Sequence, residues 1–343
     1  GGNLTMNSGT FIFSTTTGSP IVNVNGNVLL NGGTLQPTSG TGIPVFNIKG
    51  NWTNNGGTFT PGTGTVTFNG TLPQTIGGSA STTFNSLTLN NASGAALSAN
   101  ETVNGVLTLT SGKITTGANA LILGASGSVS GAGAGQYING SLRKTVNTGS
   151  PTLTFEVGSA SNYAPISVLF TNVTTGGTLT GSTTDNLSSH SAYASAGFTD
   201  NYINRYWTLT QSGLAFTSYE ASFTFAAGDY TGSPDPAKMV IRKYSGTWDY
   251  APSLTTATAT SATASGFTSF SDFAVGNDAS TTPVTLSYFK ANRSGGNINF
   301  DWSTATESGN IGFNLYAEDG VRLNTELIPS QKIDSLNRLD YTF

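Results

Sequence analysis

The side chains that could do chemistry are few and scattered. The single histidine, His190, sits in the Ser/Asn/Ala-rich stretch Ser188 to Ala194. Catalysis of the Ser-His-Asp kind needs an oriented imidazole beside an exposed hydroxyl, and neither Ser189 nor Ser191 lies in a nucleophile-elbow sequence. His190 therefore reads as a solvated loop residue. One histidine and no cysteine exclude a His-rich or thiolate metal site and any disulfide. A glycosidase needs two carboxylates at a set separation, yet the only charged side chains in residues 1–142 are Lys49, Glu101 and Lys113. No catalytic residue is assigned. The chain is read as a non-enzyme without a cofactor, calcium being the one ion considered.

Binding candidates lie further along. Asp229 and Asp235 flank Tyr230-Thr231-Gly232-Ser233-Pro234, which offers carboxylate and carbonyl oxygens to Ca²⁺. Asp, Gly and Pro are also turn formers, and a turn is the preferred reading. Glu318-Asp319-Gly320 reads as a hairpin tip on the same ground. Trp207, Trp248 and Tyr250, with Tyr206 and Tyr244, could form a stacking platform for sugar rings, although aromatics in alternating strands more often fill a core. Arg143-Lys144 and Arg242-Lys243 are basic pairs that fit a solvated strand face or a domain junction better than a nucleic-acid patch. A net charge of −4 also argues against nucleic acid and anionic membrane as partners. No apolar run approaches the ~20 residues of a membrane span, so no membrane insertion is expected.

The elements that must carry these residues begin with a repeat. Gly26-Asn27-Val28-Leu29-Leu30-Asn31-Gly32-Gly33-Thr34-Leu35 returns 24 residues later as Gly50-Asn51-Trp52-Thr53-Asn54-Asn55-Gly56-Gly57-Thr58-Phe59. Gly2 to Phe11 is an earlier copy, and Pro20 to Val24 matches Pro44 to Ile48. A fixed period of this size signals stacked coils. At ~3.3 Å per residue, one copy suffices for three short strands and three turns. Stacking predicts inward columns Leu4–Val28–Trp52, Phe11–Leu35–Phe59, Val22–Phe46 and Val24–Ile48. It also predicts amide ladders through Asn3–Asn27–Asn51 and Asn7–Asn31–Asn55. Gly33 and Gly57 fall where a turn calls for positive φ. Asn54 interrupts the Met6–Leu30 column, so either the register drifts there or the coil opens.

The expected fold is all-β: an N-terminal parallel β-helix over 1–135, then antiparallel β-sandwich domains. Degraded copies carry the repeat to about six coils, a rod of ~30 Å at ~4.8 Å per layer. Charge marks the boundary, because 27 of the 30 charged side chains follow residue 142. Residues 136–280, with aperiodic strands such as Thr152 to Val157, Ile166 to Phe170 and Met239 to Tyr244, predict a β-sandwich. Residues 281–343 predict a third, incomplete unit with Trp302 buried. The chain begins inside a repeat and stops in mid-strand, so it is read as a processed or truncated product.

The order of parts resembles the large secreted surface proteins of Bacteroidota exported by the type IX system. The β-helix stretch most similar to theirs is Asn104 to Ile114. Their sandwich module is matched by Gly135 to Lys144, Phe155-Glu156-Val157-Gly158, Asn204-Arg205-Tyr206-Trp207 and Phe273-Ala274-Val275-Gly276. The tail, Pro283 to Leu286 through Trp302 to Glu307 and Phe313 to Tyr316, is similar to their fibronectin type III-like segment. Asp334-Ser335-Leu336 resembles the tripeptide such bacteria glycosylate. The resemblance implies an extracellular or cell-surface structural or adhesive role and carries no catalytic residues. Two functions are expected from this. One is a surface adhesin or filament subunit that pairs with itself head to tail, or with cell-surface or matrix components. Its assembly edge is the strand edge bearing Leu4, Met6, Phe11 and Phe13. The other is a carbohydrate-binding protein that uses the sandwich aromatics.

Overall fold

The computed structural model describes residues 2–343 except 16, 279–283, 308–309, 319, 334 and 336. It is almost entirely β; the helical segments among the described residues are four single-turn 3₁₀ stretches. The chain forms two compact units, Gly1–Asn277 and Asp278–Phe343.

The first unit opens as a parallel β-solenoid of about seven turns, one more than the sequence suggested. On one face Leu4 lies against Val28 and Val28 against Trp52; on the second, Phe11, Leu35 and Phe59 line up; on the third, Val22 pairs with Phe46 and Val24 with Ile48. Val28, Leu35 and Trp52 have no exposed surface. Each column is thus an apolar stack that only its neighbours can bury, which is why coils accumulate instead of folding singly. Beyond Trp52 the turns shorten: Gln74 pairs with Ala95, and Ala95 with Ile114. The strands keep register while the connecting loops lose residues, so the repeat fades from sequence but not from structure.

Two glycine roles separate. Gly33 has φ 71° and the equivalent Gly9 has 72°, left-handed values that disfavour a side chain. Gly57 departs from expectation, because the positive φ falls on Gly56 at 127°. Gly57 is required for space instead: a Cβ there would lie 2.9 Å from Leu30 Cβ.

The change expected after residue 135 is a change of pairing, not of compact unit. Strand Ile138–Val146 pairs in parallel with Ile114–Leu123 on one side and antiparallel with Gly177–Asp185 on the other. The sheet continues through Phe198–Ser212, Asp272–Asp278, Met239–Tyr244 and Trp248–Tyr250. A second antiparallel sheet runs Thr152–Phe155, Ile166–Phe170, Tyr219–Thr224, Ser261–Phe267 and Thr256–Ala257. Trp207, Phe223 and Phe273 fill the layer between them, with ring centroids 5.1 and 4.9 Å apart. One contiguous apolar core runs from Met6 to Val275.

The second unit has a three-stranded antiparallel sheet, Thr285–Ser294, Asn297–Thr306 and Leu339–Thr342, and a two-stranded one, Gly312–Phe313 with Ile328–Pro329. Trp302 is buried as expected, stacked on Tyr341 at 5.4 Å and edge-on to Phe313 at 5.3 Å. Glu307 is buried and accepts from Thr304 Oγ1 (2.6 Å), Tyr341 OH (2.7 Å), Asn310 Nδ2 (2.9 Å) and Ser330 Oγ. Burial alone would push its pKa up, but the Ser330, Thr304, Tyr341 and Asn310 donors outweigh it and hold the carboxyl below the ordinary 4.5.

Candidate functional site

The first coil is open. Leu4–Met6, Thr10–Ile12 and Ile21–Val24 each stand at the end of their sheet. Leu4 N–H donates to Asn27 O and Met6 O accepts from Asn31 N–H, both at 2.8 Å. Alternation along the strand then turns the Thr5 N–H and C=O to the open side. Pro20 O and Val24 O likewise accept from the second coil, so Ile21 and Asn23 face outward along their edge. Side chains repeat the pattern in three ladders of one polarity, the later coil donating to the Asn Oδ1 of the earlier. Asn3 Oδ1 accepts from Asn27 N–H, Asn27 Oδ1 from Asn51 N–H and Asn51 Oδ1 from Thr75 N–H, each at 2.8 Å. Asn31 Nδ2 donates to Asn7 Oδ1 at 3.0 Å, Asn55 Nδ2 to Asn31 Oδ1 at 3.1 Å and Asn47 Nδ2 to Asn23 Oδ1 at 2.9 Å. At the open end these ladders terminate in donors: the Asn3 N–H and the Asn7 and Asn23 amide groups.

Of the expected edge residues, Leu4 and Phe13 are half-buried, Met6 is buried and Phe11 is 42% exposed. Phe13 packs between Phe11 (4.9 Å) and Phe46 (5.4 Å). The far end of the solenoid is different. There Ile138–Val146 is already paired with Gly177–Asp185, and on the third face Ser128–Ser130 stands at the end of its sheet. Lys144 lies at this junction, bonded to Glu156 at 2.8 Å, and Arg143 Nε donates to Thr180 Oγ1 at 3.2 Å.

The interior of the solenoid holds a polar chain that periodicity alone could not place. Asn54 keeps its register under Leu30 and is buried; neither drift nor opening occurs. Its amide donates to Ser81 O (3.3 Å) and Thr82 Oγ1 (3.4 Å), and its carbonyl accepts from Gly56 N–H (3.1 Å). Trp52 Nε1 donates to Thr82 Oγ1 at 2.9 Å, and Thr82 N–H to Glu101 Oε2 at 2.7 Å. Glu101 is fully buried, and its Oε1 has no hydrogen-bond partner among the described residues. Burial pushes its carboxyl up to about 8, against the lowering pull of the two Thr82 hydrogen bonds.

The other sequence candidates do not converge. Trp207 has no exposed surface and donates from Nε1 to Ala164 O at 3.0 Å, so it belongs to the core rather than to a sugar platform. Trp248 is 5% exposed and donates to Ala192 O at 2.9 Å; Tyr250 lies under the Arg242 guanidinium, 3.4 Å from its ring. Asp229 is engaged by Arg205, Asn162 Nδ2 (2.9 Å) and Ala226 N–H (2.8 Å), and Asp235 caps Pro236–Lys238 through Ala237 N–H (3.0 Å). The two carboxylates thus take separate protein partners, in keeping with the preferred turn reading; among the described residues there is no group of three His, Cys, Asp or Glu that could hold a metal ion. Arg205, missed in the sequence, is fully buried between Asp229 and Asp185 (3.0 Å).

His190 also departs from expectation. It is 8% exposed, ringed by Tyr206, Tyr244 and Trp248 at 4.8–5.1 Å. Nδ1 accepts from Ala192 N–H at 3.1 Å, and Nε2 faces Asp272 Oδ2 at 3.1 Å. Both nitrogens are engaged, so the ring positions its loop and has no free lone pair for a base. Gly320, with φ 83° and its N–H on Ala317 O at 2.9 Å, turns the expected hairpin tip; Asp319 lies outside the described residues. So do Asp334 and Leu336, while Ser335 is buried and donates to Asn337 O at 2.8 Å. No helix among the described residues is long and apolar enough to cross a membrane. Comparison with family models, curated proteins and solved structures finds no match.

Proposed function

We propose that the chain is a structural protein of a bacterial cell surface, a subunit of a filament, adhesin or envelope layer, whose open coil is extended by a parallel β-coil of a neighbouring subunit. The observation that carries this is the polarity of the open end. Three strand edges and three ladder donors face one way, and a coil with Asn at the matching corners supplies their acceptors. Coil-on-coil stacking between copies of this chain alone has a receiving end but no matching free coil on the first face at the other end. The coil that completes this edge is therefore of the same type, with Asn at the matching corners. The resemblance to type IX cargo with a fibronectin type III-like tail supports the extracellular setting.

Capture of a labelled peptide of residues 26–49 tests the reading. The parent chain binds it, and a scrambled peptide does not. Thr5→Pro with Ile21→Pro removes two outward N–H groups while sparing the bonds to the second coil, and abolishes capture. No capture by the parent, or capture that survives both prolines, refutes it.

A further inference from the structure

A groove of about 610 Å³ lies on the first unit between the end of strand Phe198–Ser212 and loop 268–271. We infer that it binds a neutral, hydroxyl-rich saccharide. This goes beyond the assembly role and rests on residues the sequence did not single out. The volume falls within the ~300–1,000 Å³ of small-molecule sites. Phe216 and Phe270 form one wall, half-buried, with ring centroids 5.1 Å apart. Phe270 is braced by stacking on Tyr219 at 4.5 Å, so the wall is pre-formed for the C–H face of a sugar ring.

The polar side of the groove is neutral in character. No Lys or Arg among the described residues lines it, which disfavours phosphate or an acidic sugar. Its one carboxylate, Asp272, already accepts from Thr208 Oγ1 at 2.5 Å and faces His190 Nε2 at 3.1 Å, so it is not free to hold a cation. The hydroxyls of Thr210 and Ser271 have no partner among the described residues. Gln211 Oε1 accepts from Leu214 N–H at 3.0 Å, which fixes the amide plane and leaves Nε2 to donate. Hydroxyls that both donate and accept, beside a fixed amide donor, match the mixed hydrogen bonding of sugar hydroxyls.

The test is affinity electrophoresis of the whole chain through gels cast with a β-glucan, a xylan or a mannan, with polygalacturonate as the charged comparison. At least one neutral polymer retards the parent, with or without EDTA, and polygalacturonate does not. Thr210→Ala with Gln211→Ala changes two exposed side chains and weakens binding about tenfold, the scale of one or two hydrogen bonds. Tyr250→Ala, outside the groove, leaves retardation unchanged. Retardation by no neutral polymer, retardation that survives the Thr210/Gln211 pair, or preference for polygalacturonate each overturns the inference.

Discussion

Glu101 makes the stability of the solenoid depend on pH in a direction opposite to that of most carboxylates. Its folded pKa is about 8 against an ordinary 4.5, and burial is the main cause. Between those two values the folded chain holds a proton that the unfolded chain has lost. Stability is therefore fully present below about pH 4.5, declines as pH rises, and levels off above about pH 8. At ~1.36 kcal/mol for each pKa unit between the two states, the decline sums to about 4–5 kcal/mol as an upper bound. Glu101→Gln removes the titration. The amide oxygen keeps the Thr82 N–H bond, and the NH₂ group takes the position of the unpartnered Oε1. That unpaired donor costs ~1 kcal/mol at low pH. The variant is thus slightly less stable than the parent at pH 4 and markedly more stable at pH 9. Urea melts at half-unit pH steps, followed by the fluorescence of Trp52, which shares the Thr82 contact, measure both curves. A parent–variant difference that stays constant from pH 4 to 9 refutes the buried-acid account.

Three further outcomes follow from the same physics. Arg205→Met leaves Asp229 buried with no cation and costs ~3–5 kcal/mol in denaturant melts. In the second unit, Glu307 has a folded pKa below 4.5, so its contribution is present above that value and is lost as pH falls through the folded one; Glu307→Gln flattens the acid limb of that unit's melting curve. Asn31→Ala breaks the ladder bonds to Asn7 and Asn55 and costs ~1 kcal/mol, read as a shift in the midpoint of the solenoid transition.

The repeat was legible because like residues must stack. Val28 beneath Trp52 and Leu35 beneath Phe59 could be read from spacing alone, as could the Asn ladders. Loop lengths were not legible: Gln74 to Ala95 and Ala95 to Ile114 keep register with fewer residues, because only the strand corners are constrained. Spacing favoured a core role for the aromatics without showing what covers each of them. It shows that Trp207 and Trp248 lie in strands, but not which sheet face is covered. Trp207 points between the two sheets, and Trp248 is roofed by the segment around Ala192. His190 and Arg205 were invisible as buried groups because their partners, Asp272 and Asp229, lie 82 and 24 residues away.

Strand Ile138–Val146 decides how the first unit behaves as a whole. Leu142 pairs with Leu121 on one side and Gly181 on the other, so a single backbone belongs to both the parallel stack and the antiparallel sheet. A solenoid end needs a cap that satisfies its last edge, and here the sandwich is that cap. Pulling the two apart would break a ladder on one side of this strand and expose apolar columns that are continuous from Met6 to Val275. The charge boundary near residue 142 is therefore not a hinge. It marks where the stacked coils, which carry only Lys49, Glu101 and Lys113, give way to paired ions such as Lys144–Glu156 that the two-sheet architecture can accommodate at its margins.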